Sequence, residues 1–427
     1  MPTEAWLIRA AYAEPQGKAT GTLTYGQLLS EAQSAARRIA ALGVARGDRV
    51  GLVIGPGEEF ALALHGCLLL GTVAVPVDPS RPPAEREALV AGCSVVLDGL
   101  PDGHEDPAAN PEGLHEPGDV AVVMHTSGST GQPRAVELTY GNLWWSAAGS
   151  AVALGLDPAE RWLCCLPVAH VGGLSVLTRS AIYATTALVH EGFDASAVLD
   201  ELSSPEGPTM VSLVPTMLSR LLDAGLERPP ALRWALLGGA PAPSSLLERA
   251  AQAGVPVAPT WGMTETASQV TTFGRPLFCT RVEASAGGEL LVDGPTVSPS
   301  CPRPLATGDL GEVLPSGEVV VAGRASATII TGGENVDPVA VEHVLEEHPQ
   351  VGECGVYGRP DREWGEAVVA LVVPSAGEGP QPADLDAWCR ERLAPFECPK
   401  EVRVVDSLPR TGAGKLDRAR LGESDGA

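Results

Sequence analysis

The chain has 427 residues, too many for a disulfide-stapled mini-protein and enough for two domains of unequal size. Hydrophobic residues make up 44% and charged residues 19%, with 49 Gly and 38 Pro, which excludes overall disorder and fibrous repeats and suits a loop-rich globular enzyme. The 53 acidic against 29 basic residues leave a formal net charge of -24, so the surface repels a nucleic-acid backbone, and an anionic small substrate needs cations and backbone N–H groups that converge locally.

In chain order, Thr24 and Gln27 have capping-box spacing, and Leu28, Ala32, Ala35, Ile39 and Leu42 recur at helical intervals as far as Gly43. Apolar runs and helical patterns then alternate: strand-like residues 49–54, a helix over 58–70, and strands at 73–77, 95–97 and 120–124. Residues 61–77 form the most apolar stretch, but His65 and Pro76 interrupt it, so it fits a core helix followed by a strand rather than a membrane span. Further strand-like runs fall at 163–166, 187–189, 210–214 and 234–237, and alternation of this kind predicts a mostly parallel sheet covered by helices.

From about Gly287 the runs shorten, with strands expected at 289–292 and 318–322 in a small antiparallel piece. Asp337 followed by Pro338 predicts an N-cap and N1 for a helix over 339–347, and residues 367–373 read as a strand. The expected fold class is α/β: a large N-terminal domain over 1–323 with βα-type sheets and a small β piece, then a small mobile α+β domain over 324–427. The nine cysteines form no C-x-x-C pair and follow no leader pattern, so neither a zinc cage nor a disulfide framework is expected, and they read as reduced thiols of a cytoplasmic protein.

Thr126-Ser127-Gly128-Ser129-Thr130-Gly131 directly follows an apolar strand and combines hydroxyls with glycines that let backbone N–H groups approach an anion. It reads as a phosphate loop, though it has neither the Gly-Lys-Ser/Thr ending of a P-loop nor the G-x-G-x-x-G of a dinucleotide fold. Trp261-Gly262-Met263-Thr264-Glu265-Thr266, Thr307-Gly308-Asp309-Leu310-Gly311 and Pro409-Arg410-Thr411-Gly412-Ala413-Gly414-Lys415 follow it in order. With these four segments the sequence resembles the adenylate-forming acyl-CoA synthetase superfamily across nearly its whole length.

The resemblance implies a two-step reaction that uses ATP, Mg²⁺ and coenzyme A. A carboxylate first attacks the α-phosphate of ATP and expels pyrophosphate; the thiol of coenzyme A then attacks the acyl-adenylate and AMP leaves. It implies that Thr126 to Gly131 hold the β- and γ-phosphates, that Glu265 binds Mg²⁺, and that Thr264 donates to the α-phosphate. Trp261 stands where the family usually carries Tyr and would stack on adenine beside Gly238, Gly239 and Ala240. Asp309, assisted by Arg324, would accept from the ribose hydroxyls. Lys415 would bring a mobile cation to the charge that develops between carboxylate and α-phosphate, its neighbouring glycines fitting a swinging loop. The segment around Gly333 resembles the loop that lines the thiol path after the small domain rotates.

Within that family, residues 166–191 and 212–223 resemble the o-succinylbenzoate-CoA ligases of menaquinone biosynthesis, with a ligase for another aryl or fatty acid as the alternative. An aromatic keto dicarboxylate leaves one spectator carboxylate, for which Arg220 is the candidate partner inside an apolar pocket. His170 is expected to position or gate where acyl and thiol channels meet. The partners implied are small molecules, not nucleic acid or membrane, and a homo-oligomer is compatible with them. Three departures from the family pattern are Ala327 at the usual hinge position, Arg134 where Lys is usual, and a short stretch over 294–307.

Overall fold

The computed structural model describes residues 3–111, 114–127, 133–324, 329–331, 334–361, 364–375, 379–393, 395–411, 414–418 and 420–422. The chain divides into two compact units. The larger comprises Met1–Gly239, Arg249–Arg281 and Val292–Leu305, and the smaller Ala240–Glu248, Val282–Leu291 and Ala306–Ala427. Residues 306–323 therefore group with the C-terminal part, before the boundary expected at Gly323 and Arg324.

In the larger unit one sheet orders its strands Val95–Leu97, Arg49–Leu52, Val73–Pro76, Val120–Ser127 and Pro133–Thr139, the first four parallel and the last antiparallel. The other runs Arg275–Pro276, Ser268–Thr272, Val257–Met263, Trp234–Leu237, Met210–Leu213, Arg161–Cys164, Thr186–Val189, Lys18–Thr20 and Leu23–Thr24. From Val257–Met263 to Thr186–Val189 the pairing is parallel, and all four residues of Met210–Leu213 are buried. Burial on both faces explains why these strands are continuous apolar runs rather than alternating ones.

The helix Tyr25–Ala40 begins with the predicted capping box, Thr24 accepting from the Gln27 amide while the Gln27 side chain accepts from the Thr24 amide. Glu58–Leu70 ends at Gly71, whose φ of 76° only glycine adopts without strain. A second capping box, Thr139 with Asn142, starts the helix Tyr140–Leu154, with Asn rather than Glu or Gln at its third position.

The smaller unit carries a four-stranded sheet ordered Arg281–Ala284, Glu289–Asp293, Leu305–Val313 and Val319–Arg324, the last two antiparallel. A second sheet joins Glu334–Val336, Ile329–Thr331, Gly365–Pro374 and Val351–Asp361, with Glu401–Val404 parallel to Gly365–Pro374. Its core sets Val341 and Leu345 of the helix Pro338–Glu346 with Val356, Val368, Ala370 and Val372 of the sheet and Leu385 of Pro382–Arg390. Asp337 caps the first helix by accepting from the Val339 amide at 2.9 Å. Among the described residues no helix is long and apolar enough to cross a membrane.

Candidate active site

Thr126 and Ser127 close the strand Val120–Ser127 and pair in register with Arg134 and Pro133. Gly128, Ser129, Thr130 and Gly131 of the predicted phosphate loop lie outside the described residues. Burial, helped by the nearby Arg81 and Arg49, holds His125 below the usual imidazole range, so it is neutral at pH 7 and adds no charge at the base of the loop. The guanidinium of Arg134 reaches the Cys301 thiol at 3.9 Å.

Beside this strand pair stands the turn that carries Thr264 and Glu265. Val257–Met263, which includes the half-buried Trp261, runs directly into the 3₁₀ turn Thr264–Thr266, and Ala267 and Ser268 follow with φ of 52° and 102°. Two consecutive non-glycine residues at positive φ are strained, and the surroundings hold them there. A Cβ at Gly262 would lie 1.8 Å from the Ser268 carbonyl oxygen, so only glycine permits this close return. The Ala267 carbonyl accepts from Ser146 Oγ at 2.6 Å, and Ser146 Oγ accepts from Nη2 of the buried Arg179 at 3.0 Å.

Ser298 ties the turn to the loop strand: its amide donates to the Glu265 carbonyl at 2.8 Å and its hydroxyl to the Glu137 carbonyl at 2.6 Å. The Glu265 carboxylate itself makes no ion pair or hydrogen bond among the described residues. No group of three or more His, Cys, Asp or Glu side chains among them could enclose a metal. One free carboxylate suits a Mg²⁺ that takes its other ligands from phosphates and water.

In the smaller unit, Asp309 is buried and pairs in register with Arg324 across the antiparallel ladder. Its amide donates to Thr307 Oγ1 at 3.1 Å, and Thr307 Oγ1 donates to the Leu290 carbonyl at 2.7 Å. Lys415 is exposed on a tight hairpin: its carbonyl accepts from the Thr411 amide at 2.8 Å, and its amide donates to Thr411 Oγ1 at 3.3 Å. Thr411, Gly414 and Lys415 are thus joined within the hairpin; Gly412 and Ala413 lie outside the described residues, as do Gly333 and Ala327.

His170 is the half-buried N-cap residue of the helix Val171–Tyr183, its amide donating to the Pro167 carbonyl and its own carbonyl accepting from Leu174, both at 3.0 Å. Gly239 is exposed with φ of 82°, and Ala240 beside it is exposed too. The expectation for Arg220 needs correction. It sits exposed in the last turn of Pro215–Asp223, because the amphipathic helix turns Leu218 and Leu221 into the core and leaves Arg220 in solvent. Arg179 is the buried arginine. Nothing in its local sequence announced this, and neither did anything announce Ser146 or Ser298, whose roles depend on partners more than thirty residues away.

A free carboxylate next to a hydroxyl-rich strand end suits a phosphate-bound cation, so fold and site define a nucleotide-using α/β enzyme. The chain belongs to the AMP-binding enzyme family, whose main domain matches residues 7–102 and 96–327 and whose C-terminal domain matches residues 340–415. It is 35% identical to the 2-succinylbenzoate–CoA ligase of Bacillus licheniformis over 97% of this chain and 98% of that protein. The ligase of the same name from Geobacillus kaustophilus is 37% identical, over 97% of this chain and 96% of that protein. The alignment with the first runs over 475 residues, more than the 427 of this chain, so the relative has internal segments that are shorter or missing here. Among solved structures, o-succinylbenzoate CoA synthetase from Bacillus subtilis with the acyl-adenylate intermediate OSB-AMP superposes with a TM-score of 0.91, at 33% identity over 99% of this chain and 98% of that one. The same enzyme with ATP and magnesium ion gives 0.88, at 32% identity over 99% and 100%.

Proposed function

We propose that this chain is an ATP-dependent acid–thiol ligase that converts o-succinylbenzoate and coenzyme A to o-succinylbenzoyl-CoA, AMP and pyrophosphate in menaquinone biosynthesis. The observation that carries the reading is the unpaired Glu265 carboxylate, on a turn that Ser298 ties to the strand Pro133–Thr139 that follows the phosphate loop, in a chain that matches 2-succinylbenzoate–CoA ligases almost end to end.

In the first step one carboxylate oxygen of the acid bonds to the α-phosphorus of ATP as the bond to pyrophosphate breaks. Thr126, Ser127 and the glycines after them hold the leaving phosphates, Thr264 donates to an α-phosphate oxygen, and Glu265 holds Mg²⁺. The ion, when bound, offsets phosphate charge that would otherwise repel the incoming carboxylate. Trp261 stacks on adenine beside Gly239 and Ala240, Asp309 and Arg324 hold the ribose, and Lys415 meets the negative charge of the transition state. In the second step the coenzyme A thiol, giving up its proton, attacks the acyl carbon and AMP departs, with His170 and the loop around Gly333 lining the thiol approach. Rotation of the C-terminal domain, as the resemblance implies, would let it serve both steps.

The test is to incubate o-succinylbenzoate, benzoate, cinnamate and medium-chain fatty acids with ATP, Mg²⁺ and CoA while quantifying AMP and acyl-CoA. Selective o-succinylbenzoyl-CoA formation is expected. Turnover of another acid in preference would replace the substrate, and AMP without thioester would remove coenzyme A as the acceptor.

A further inference from the structure

The hairpin that carries Lys415 is fastened at both ends by arginines. On the N-terminal side, Arg410 Nη1 donates to the Gly414 carbonyl at 3.0 Å and Nη2 donates to the Glu353 carboxylate at 2.5 Å. The same residue forms an antiparallel bridge with Leu416, so the chain folds back across its own guanidinium. On the C-terminal side, the two terminal nitrogens of Arg418 meet the two oxygens of Glu342, each at 2.6 Å, and Nη1 also donates to the Val356 carbonyl at 3.1 Å. Glu342 is buried, and its Oε1 accepts from the Val356 amide at 2.7 Å.

Both anchors converge on one rigid piece. Glu353 and Val356 belong to the strand Val351–Asp361, and Glu342 to the helix Pro338–Glu346 packed on it. Only Leu416 and Asp417 lie between Lys415 and Arg418, and Asp417 is also secured, its amide donating to the Pro409 carbonyl at 2.9 Å. A planar fork shared between a carboxylate and a main-chain carbonyl fixes direction as well as distance, which a point charge on a flexible stem does not.

We propose that Arg410 and Arg418 are positioning residues that hold Lys415 in the geometry needed for adenylation. The inference rests on the role given to Lys415 above and extends it to two residues whose side chains bond Gly414, Glu353, Glu342 and Val356. The reason for two clamps is chemical. Lys415 meets charge that exists only in the transition state, and a misplaced ammonium loses that interaction while substrate binding persists.

The experiment compares Arg410→Lys, Arg418→Lys and Glu353→Gln with Lys415→Ala in the full chain. Acid-dependent pyrophosphate release reads the first step, CoA attack on supplied o-succinylbenzoyl-adenylate reads the second, and thermal unfolding reads the fold. Arg410→Lys is expected to lower kcat of the first step about tenfold, with KM for ATP and the second step unchanged. Glu353, being partly exposed, tolerates Gln without unfolding and is expected to give the same split at smaller size. Wild-type adenylation in all three clamp variants, with Lys415→Ala inactive, would overturn the positioning role and leave the Lys415 role standing. Equal loss of both steps alongside a lowered melting temperature would also overturn it, by making the arginines purely structural. Normal adenylation by Lys415→Ala would remove the reading underneath.

Discussion

Glu265 stands on a turn secured by neutral groups, whereas Lys415 stands on a hairpin secured by ion pairs. In the larger unit the fasteners are the Ser298 amide and hydroxyl, the Ser146 hydroxyl, and the missing side chain of Gly262. In the smaller they are Arg410 with Glu353 and Arg418 with Glu342. The difference teaches what each charge needs. The metal role proposed for Glu265 needs its carboxylate oxygens free, and a neighbouring cation would compete with that ligand. The role proposed for Lys415 needs its backbone held, and ion pairs made by its neighbours can serve there.

The strongest way to break this comparison is Lys415→Ala, which is expected to abolish adenylation while sparing CoA attack on a supplied acyl-adenylate; single-turnover assays of both steps decide it. Glu265→Gln follows, expected to lower adenylation on the order of a hundredfold and to raise the Mg²⁺ concentration needed for half-maximal rate. A rate that is unaffected at every Mg²⁺ concentration would take the metal away from Glu265.

Gly262→Ala sharpens the neutral half of the comparison. The added Cβ meets the Ser268 carbonyl at 1.8 Å, so the turn must open, at a cost of about 1–3 kcal/mol in denaturant unfolding together with a loss of adenylation. Ser298→Ala keeps the amide bond to Glu265 and loses the hydroxyl bond to Glu137 together with the hydroxyl's bonds to Ser300, so about 1–2 kcal/mol and a small rise in KM for ATP are expected.

The two units also respond to pH in opposite senses. Burial raises Glu346 from 4.5 to about 7, with Glu342 and Glu353 adding to it and the Cys354 backbone and Arg418 opposing it. Its folded form binds the proton more tightly than the unfolded form, so its cost to stability grows as pH rises from 4.5 towards 7. In the larger unit, burial lowers His65 and His115 from 6.5 to about 4, and His115 is packed between Trp6 and Tyr140 at ring distances of 4.8 and 4.0 Å. Their stabilising effect is complete above 6.5 and is lost as pH falls towards 4. Glu346→Gln is therefore expected to raise the melting temperature at neutral and higher pH and to change it least below pH 4.5, and His115→Phe to flatten the acid limb; unchanged profiles in both would erase the contrast.

Much of this protein was legible before any coordinates. The alternation of apolar runs with helical patterns placed the helix Glu58–Leu70 and the strands Val95–Leu97 and Trp234–Leu237 at their observed bounds, because each is an apolar run set off by glycine or polar residues at both ends. The capping residues Thr24 and Asp337 were equally visible, since a cap and its partners lie within one turn. The ordered motifs around Thr126, Glu265, Asp309 and Lys415 pointed to the family for the same reason: each is a local arrangement written in consecutive residues.

Tertiary structure decided what those local arrangements rest on. That Arg220 faces solvent while Arg179 is buried depends on which side of each helix packs, and two arginines in apolar surroundings look alike in sequence. Ser146, Ser298, Glu342 and Glu353 were equally silent, because each acts on a partner brought close only by folding: 121 residues away from Ser146 to Ala267, 161 from Ser298 to Glu137, 76 from Glu342 to Arg418 and 57 from Glu353 to Arg410. A hydrogen bond reaches about 3 Å and leaves no periodic trace in the chain, so the candidate groups could be read from the sequence and their fastenings only from the fold.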